Sequence, residues 1–320
     1  MATCDSNEVS EYTFDFGGHV HPERTAPEPI RQLNSAVGSH HTDVAELARW
    51  YEDAGVDGAA LSQPFYIGHG DPNRTTDAND ALLEDIDDHS NLYGLAAIPT
   101  AAGGDTAARE FERCLENGYA GGALETKSDG IELTDPAVEP ILKVADRTGA
   151  PLLVHPKLDD SVHPDALDET YRLNAIFGRE VALCESLCKV IHDGVLERYP
   201  NLTLVYHHLG GNVASMLGRV HVQLDPGRWP NQEATVGFDE FEQTLADRIH
   251  IDTCGFFGYA APIRAALEVF PPSQILFATD APYEPRSPNE VRTMATTVEE
   301  VTPESASHRI LGENALDLLS

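Results

Sequence analysis

The chemistry available to this chain sits at five positions: His19 and His21 in FGGHVHP, His155 in PLLVHP, His208 in LTLVYHHLGG and Asp280 in ILFATDAP. Each closes a short apolar run, where a polar group is costly unless it is satisfied or opens onto solvent. Neutral imidazole nitrogens and a carboxylate oxygen suit Zn²⁺ and similar divalent ions. His19 and His21 are two apart on an extended segment, so both side chains leave one face and can grip one ion. With His155 and Asp280 they supply four donors and leave room for a water and a substrate oxygen. Such an ion lowers the pKa of bound water or polarises a substrate carbonyl. Asp280 can also exchange a proton with substrate where its surroundings raise its pKa. Any one of these residues alone reads more plainly as a hydrogen-bonded core group. Their joint placement is what points to a metal.

His207 and His208 are adjacent, so on a strand they point to opposite faces. Register with the following HLGG favours His208 as the inward one, and His207 is expected to pack outward against helices. A neutral histidine beside a metal is a natural general acid and base.

The elements that must position these groups are eight short β-rich runs: 12–16, 57–63, 92–99, 121–126, 151–156, 202–208, 250–255 and 275–280. Amphipathic stretches such as TDVAELARWYEDAG and TAAREFERCLENG lie between them and often stop at Gly or Pro. That alternation signals parallel βαβ units. Strands that each deliver a ligand at the C-terminal end are how a (β/α)₈ barrel builds a site. The expected fold is therefore an α/β, (β/α)₈ TIM barrel in one domain over residues 12–320. Two further helices, PNEVRTMATTVEEV and PESASHRILGENALDLL, close the chain. A flap is expected after the fifth strand, between Pro156 and Thr203. Residues 1–11 read as a disordered or extended N-terminus.

Composition narrows the partners. Asp and Glu number 53 against 21 Lys and Arg, for a formal charge of −32. Four of the basic residues are Lys: Lys127, Lys143, Lys157 and Lys189. Dispersed acid with scarce Lys reads as a halophilic surface, because at roughly 1 M salt the Debye length is about 3 Å and self-repulsion is screened. An ordinary acidic protein is the plain alternative. Nucleic acid is excluded as a partner in either case, since phosphate binding needs a basic face. No apolar run of about 18 residues appears, so no membrane span is expected. The start of the chain has no secretory pattern, which points to the cytoplasm. The five cysteines form no C-x-x-C pair and read as buried free thiols.

His-x-His on the first strand, VHP on the fifth and H-x-G-G on the sixth, with TD-x-P on the last and a terminal G-x-NA-x-x-LL, resemble the amidohydrolase-related family. Its members include amino-carboxymuconate-semialdehyde decarboxylase and γ-resorcylate decarboxylase. The similarity runs over roughly residues 12–318, including DGVLERYPNLTLVYHHLGG. The resemblance implies that His19, His21, His155 and Asp280 hold one divalent metal, zinc ahead of manganese. It matches His208 to the catalytic histidine and Arg219 to an arginine that binds a substrate carboxylate. The chain departs from the family in having Gly17, where relatives commonly carry Asp, two residues before the first His; Asp15 lies four before.

The expected function is a metal-dependent, non-oxidative decarboxylase (a carbon–carbon lyase) acting on a small unsaturated or aromatic carboxylic acid. His208, with Asp280 or a metal-bound water, would move the replacing proton, and Arg219 would orient the anion. A hydrolase of a lactone, amide or ester is the alternative on the same site. A non-catalytic binding barrel is the third. Lys127, in TKSDG, reads as a solvated turn residue, and His40 and His41 as solvent-facing loop residues. Relatives suggest a homodimer.

Overall fold

The computed structural model describes residues 12–156, 167, 169–229 and 233–320. The expected N-terminal segment 1–11 and most of the flap, 157–166 and 168, lie outside the described residues. Eight strands form one sheet: β1 (Phe14–His19), β2 (Gly58–Ser62), β3 (Leu92–Ala97), β4 (Gly121–Glu125), β5 (Leu152–His155), β6 (Leu204–Tyr206), β7 (Ile249–Asp252) and β8 (Ile275–Leu276). Neighbours follow chain order and every pairing is parallel. β8 returns to β1 through Phe16 N–H to the Phe277 carbonyl at 2.9 Å and His19 N–H to the Ala281 carbonyl at 2.7 Å. The sheet thus closes into a (β/α)₈ barrel, and helices including Pro288–Val301 follow the last strand.

Local chemistry explains the helices that wrap it. Asp43 accepts the Glu46 N–H to cap Val44–Ala54, and left-handed Gly55 ends that helix. Ser287 and Glu290 form a reciprocal capping box ahead of Pro288–Val301. The TKSDG segment, expected as a turn, forms a small antiparallel hairpin pairing Lys127–Ser128 with Ile131–Glu132. Lys127 is ion-paired to Glu132 at 3.0 Å there, so it is not a free solvated residue.

Alternation along the strands sorts side chains into two layers. Phe14, Phe16, Ala60, Leu95, Ala97, Ala123, Leu153, Val205 and Leu276 gather in one cluster inside the barrel. Leu61, Ala96, Leu124, Leu152, Val154, Leu204, Tyr206 and Ile251 join the larger cluster under the helices. The same parity carried to the strand ends turns Ser62, His155 and Asp252 inward. β1 would break the rule, because His19 is an odd step from Phe16. A register shift between Asp15 and Gly18 corrects it, pairing Gly18 with Leu61 and His19 with Ser62. This bulge aims His19 into the barrel.

The bulge is pinned by Asp15, which is fully buried. Its Oδ1 accepts from Thr279 N–H and Gly17 N–H, both at 3.0 Å. Its Oδ2 accepts from Tyr51 O–H at 2.8 Å and Thr279 Oγ1 at 2.5 Å. One carboxylate therefore ties β1 to the turn after β8 and to the helix Val44–Ala54. Burial outweighs these bonds and raises its pKa. Asp15→Ala removes the shared acceptor and strands several buried donors, so a loss of roughly 2–3 kcal/mol is expected. Urea unfolding monitored by circular dichroism measures it; a midpoint equal to wild type would show that the carboxylate does not hold the seam.

Candidate active site

The C-terminal rim of the barrel carries the chemistry. His19 ends β1, and its Nδ1 lies 2.9 Å from Ser62 Oγ. Its Nε2 lies 2.9 Å from Asp280 Oδ1 yet, buried, makes no aligned hydrogen bond to any described residue. Two donors facing one point rather than each other is the arrangement a shared cation requires. His155 ends β5 and is partly exposed, with its ring 5.4 Å from that of His19. Burial pushes its imidazole well below the ordinary pKa, and His207 and His19 push the same way. Neutral imidazoles are the form that binds metal. Burial alone would raise Asp280, but His19 and His208 outweigh it and hold the carboxyl well below the usual carboxylate range. The proton-exchange role expected for Asp280 needs a raised pKa, whereas its surroundings favour the ionised, ligating form.

The sixth strand differs from expectation in a way that matters. β6 stops at Tyr206, and His208, Leu209, Gly210, Gly211 and Asn212 all take left-handed backbone conformations. Each non-glycine residue there costs roughly 1–2 kcal/mol, strain of the sort that concentrates at functional sites. Because the strand has ended, the opposite-face rule fails and both histidines are inside. His207, expected to pack outward, is buried with its ring 5.2 Å from His155 and 5.8 Å from His19. Donor nitrogens of His19, His155 and His207 lie within 4.8 Å of one another. Parity would have found it: Val205 faces the barrel interior, so a residue two further on does too.

His208 is also buried, and Gly255, at φ +80°, makes room for it; a Cβ at Gly255 would lie 2.4 Å from its Cγ. Its Nδ1 is 2.8 Å from Glu180 Oε1, and its Nε2 is 3.9 Å from Asp280 Oδ2. Burial alone would lower its pKa, but the Asp280 and Glu180 carboxylates raise it to about 10. Glu180 was not singled out in the sequence. It opens the helix Arg179–His192, directly after a π-helical turn at Asn174–Gly178, a form often found at functional sites.

His21 is placed apart from the three-imidazole group. Its Nε2 accepts the Phe65 N–H at 3.3 Å, and its Nδ1 lies 3.0 Å from Tyr283 Oη. Burial, with His19 and His41 nearby, lowers its pKa to about 3. His41, expected in solvent, is buried with its ring edge-on to Tyr283 at 5.3 Å. Arg219 stands exposed on the short helix Leu217–Gln223 and does not line the cavity over the histidines. That cavity, of about 370 Å³, is bounded by His155, His208, Asp280 and three other arginines, Arg172, Arg179 and Arg286. None of the three has a carboxylate partner within 4 Å among the described residues. Arg172 and Arg179 come from the connection after β5, Arg179 as the first residue of the helix Arg179–His192, and Arg286 from the loop before Pro288–Val301; no sequence pattern marks them. A larger, mainly apolar cavity of about 920 Å³, bounded by Ile176, Val181, Met216 and Phe256, shares Ala175, Arg179, His208 and Glu284 with it.

The chain is 28% identical over 144 residues to 2-amino-3-carboxymuconate-6-semialdehyde decarboxylase of Dictyostelium discoideum, a match that spans 44% of this chain and 39% of that protein. It is 25% identical over 303 residues to γ-resorcylate decarboxylase of a Polaromonas species, covering 86% of each. The fold superimposes on 5-carboxyvanillate decarboxylase of Novosphingobium aromaticivorans with a TM-score of 0.84, 19% identity and 98% coverage of both chains. That crystal structure holds manganese and 3-methoxy-4-hydroxy-5-nitrobenzoic acid. A family model described as Amidohydrolase matches residues 52–320. By that match the chain belongs to the amidohydrolase family.

Proposed function

We propose that this chain is a metal-dependent, non-oxidative decarboxylase of a small aromatic or unsaturated carboxylic acid. The observation that carries this reading is the convergence of imidazole nitrogens, with His19 Nε2 and His207 Nε2 lacking a hydrogen-bond partner among the described residues, and the Asp280 carboxylate beneath a cavity edged by three arginines. Among the expected donors, His19, His155 and Asp280 are disposed to hold the ion. Imidazole-rich donors favour zinc, and the manganese of the Novosphingobium enzyme makes that ion the second choice. A divalent ion held there supplies a Lewis acid that draws charge from a substrate oxygen beside the scissile carboxylate.

The protein's own groups do the rest. Arg172, Arg179 and Arg286 attract and orient the anion, guanidinium being suited to planar carboxylate. The apolar side of the adjoining cavity takes the carbon skeleton. The bond from ring carbon to carboxylate breaks, its electron pair stays on the carbon, and CO₂ leaves. His208 then delivers a proton from Nε2 to that carbon and is reprotonated by solvent. Glu180, bonded to Nδ1, keeps the ring aimed.

The test is CO₂ release from a panel of hydroxybenzoates and carboxymuconates. Turnover is expected to vanish with a chelator and return with Zn²⁺ or Mn²⁺; water-dependent opening of lactones without CO₂ would make the protein a hydrolase instead. His208→Ala is expected to lower kcat by roughly 10²–10⁴-fold with the metal retained, and metal loss in this variant would make His208 a ligand. Arg179→Ala is expected to raise KM about tenfold or more, a charged hydrogen bond contributing roughly 1.5–3 kcal/mol. Arg219→Ala serves as the comparison: an equal rise in KM there would return carboxylate binding to Arg219.

A further inference from the structure

We propose that Glu284 is a specificity-determining residue: with Glu180 it reads a hydrogen-bond donor, a hydroxyl or amino group, carried by the substrate on the edge away from its carboxylate. This deepens the decarboxylase reading and rests on it. Three features of the rim carry the assignment.

The first is place. The Glu284 N–H donates to the Asp280 carbonyl at 3.1 Å, which anchors the residue to the turn after β8. Glu284 borders both cavities, as do Ala175, Arg179 and His208. These four mark the neck where the smaller polar cavity meets the larger apolar one. A ligand long enough to enter both must pass Glu284.

The second is an unmet acceptor. Glu284 Oε2 is buried and has no hydrogen-bond partner among the described residues. The same holds for Glu180 Oε2, whose companion Oε1 faces His208 Nδ1 at 2.8 Å. Ionised or protonated, a carboxyl keeps an acceptor oxygen. Two such carboxyls border a mainly apolar cavity, where an unmet polar atom is costly once a ligand displaces solvent. A ligand bearing a hydroxyl or amine meets that need, and a hydrocarbon of the same shape does not.

The third is the sorting of charge. Arg172 and Arg286 border the smaller cavity, with His155 and Asp280, whereas Glu180 borders the larger. Arg179 and Glu284 stand at the neck between them. Guanidiniums draw the carboxylate end of a planar acid into the smaller cavity. Its opposite edge is then turned toward the carboxyl oxygens. A methyl group at that edge sets carbon against them; a hydroxyl or amine bonds to them.

The experiment uses the full-length protein incubated with Zn²⁺. Benzoate and its meta and para methyl, hydroxy and amino derivatives are titrated by calorimetry, and CO₂ release is followed with the same acids. Wild type should bind the best hydroxy or amino acid roughly tenfold or more tightly than its methyl counterpart, the value of a hydrogen bond to a charged group. Comparing the hydroxy and amino acids shows which donor the site takes. Glu284→Ala should lower the donor-to-methyl ratio to about twofold or less, with that bond removed, and leave affinity for the methyl acid near wild type. Glu284→Gln keeps the shape but adds N–H donors, so it should bind para-methoxybenzoate, whose substituent only accepts, more tightly than wild type does. A ratio near one in wild type overturns the assignment, as does an unchanged ratio in folded Glu284→Ala. If Glu284→Ala fails to fold by circular dichroism, Glu284→Gln decides: a lowered hydroxy-to-methoxy ratio supports the assignment, and one equal to wild type ends it. CO₂ release without donor preference leaves the decarboxylase reading intact and removes this role for Glu284. Donor preference that Glu284→Ala abolishes, without CO₂ from any acid, does the reverse. A wild-type protein that binds none of these acids overturns the assignment.

Discussion

Closure of the sheet between its last and first strands is the constraint on which the site depends. His19 and Asp280 stand at opposite ends of the sequence, yet His19 Nε2 and Asp280 Oδ1 are 2.9 Å apart. Two backbone hydrogen bonds join the seam, and the Asp15 carboxylate gathers Thr279, Gly17 and Tyr51 around it. The carboxylate also holds the bulge that reverses side-chain parity in β1. Without that reversal Gly18, not His19, would face the barrel axis. Folding energy and ligand geometry therefore rest on one buried group. A seam set slightly wrong would separate donors that must sit within a few ångströms of a common point.

The opposite side of the rim solves a related problem by other means. β6 must deliver His207 and His208 to the same region, which a continuing strand cannot do. Ending the strand at Tyr206 and turning through left-handed residues lets consecutive side chains both reach the interior. Gly210 and Gly211 adopt this conformation without a side-chain penalty, whereas His208 and Leu209 bear one. Asp252 offsets part of it by accepting the His208 N–H while it faces His207. Strain in the backbone and order in the imidazoles are thus linked through one carboxylate on the neighbouring strand.

Much of this was legible in the sequence, and the illegible parts share a cause. The barrel follows from eight apolar runs alternating with amphipathic helices, and His19, His155 and Asp280 from their places at the ends of three runs. Those features depend on local periodicity, which a sequence displays. The bulge at Asp15–Gly18 and the left-handed turn after Tyr206 are backbone events set by tertiary contacts, so the motif after β6 does not show that His207 faces inward beside His208. Parity from Val205, which faces the barrel interior, is the local signal that places His207 inside. Glu180 and the arginines at 172, 179 and 286 reach the rim from helices and loops distant in sequence. No spacing rule connects them, and Arg219, which a motif did connect, lies outside the cavity.

Charge explains why such arginines are required at all. A chain with 53 acidic and 21 basic residues repels an anion, and at physiological ionic strength that field extends about 8 Å from each charge. An anionic substrate meets opposition on approach that a neutral one would not. Guanidiniums at the rim reverse the sign locally, where low-dielectric walls focus the field and strengthen it. The Asp280 carboxylate makes the need sharper, since it adds negative charge to the cavity wall. A bound divalent cation would offset that charge at the floor of the cavity, while the arginines offset it at the mouth. Under the proposed decarboxylase reading, an anionic substrate would be drawn from an acidic exterior toward these guanidiniums, and CO₂, being neutral, would have no such attraction to hold it there.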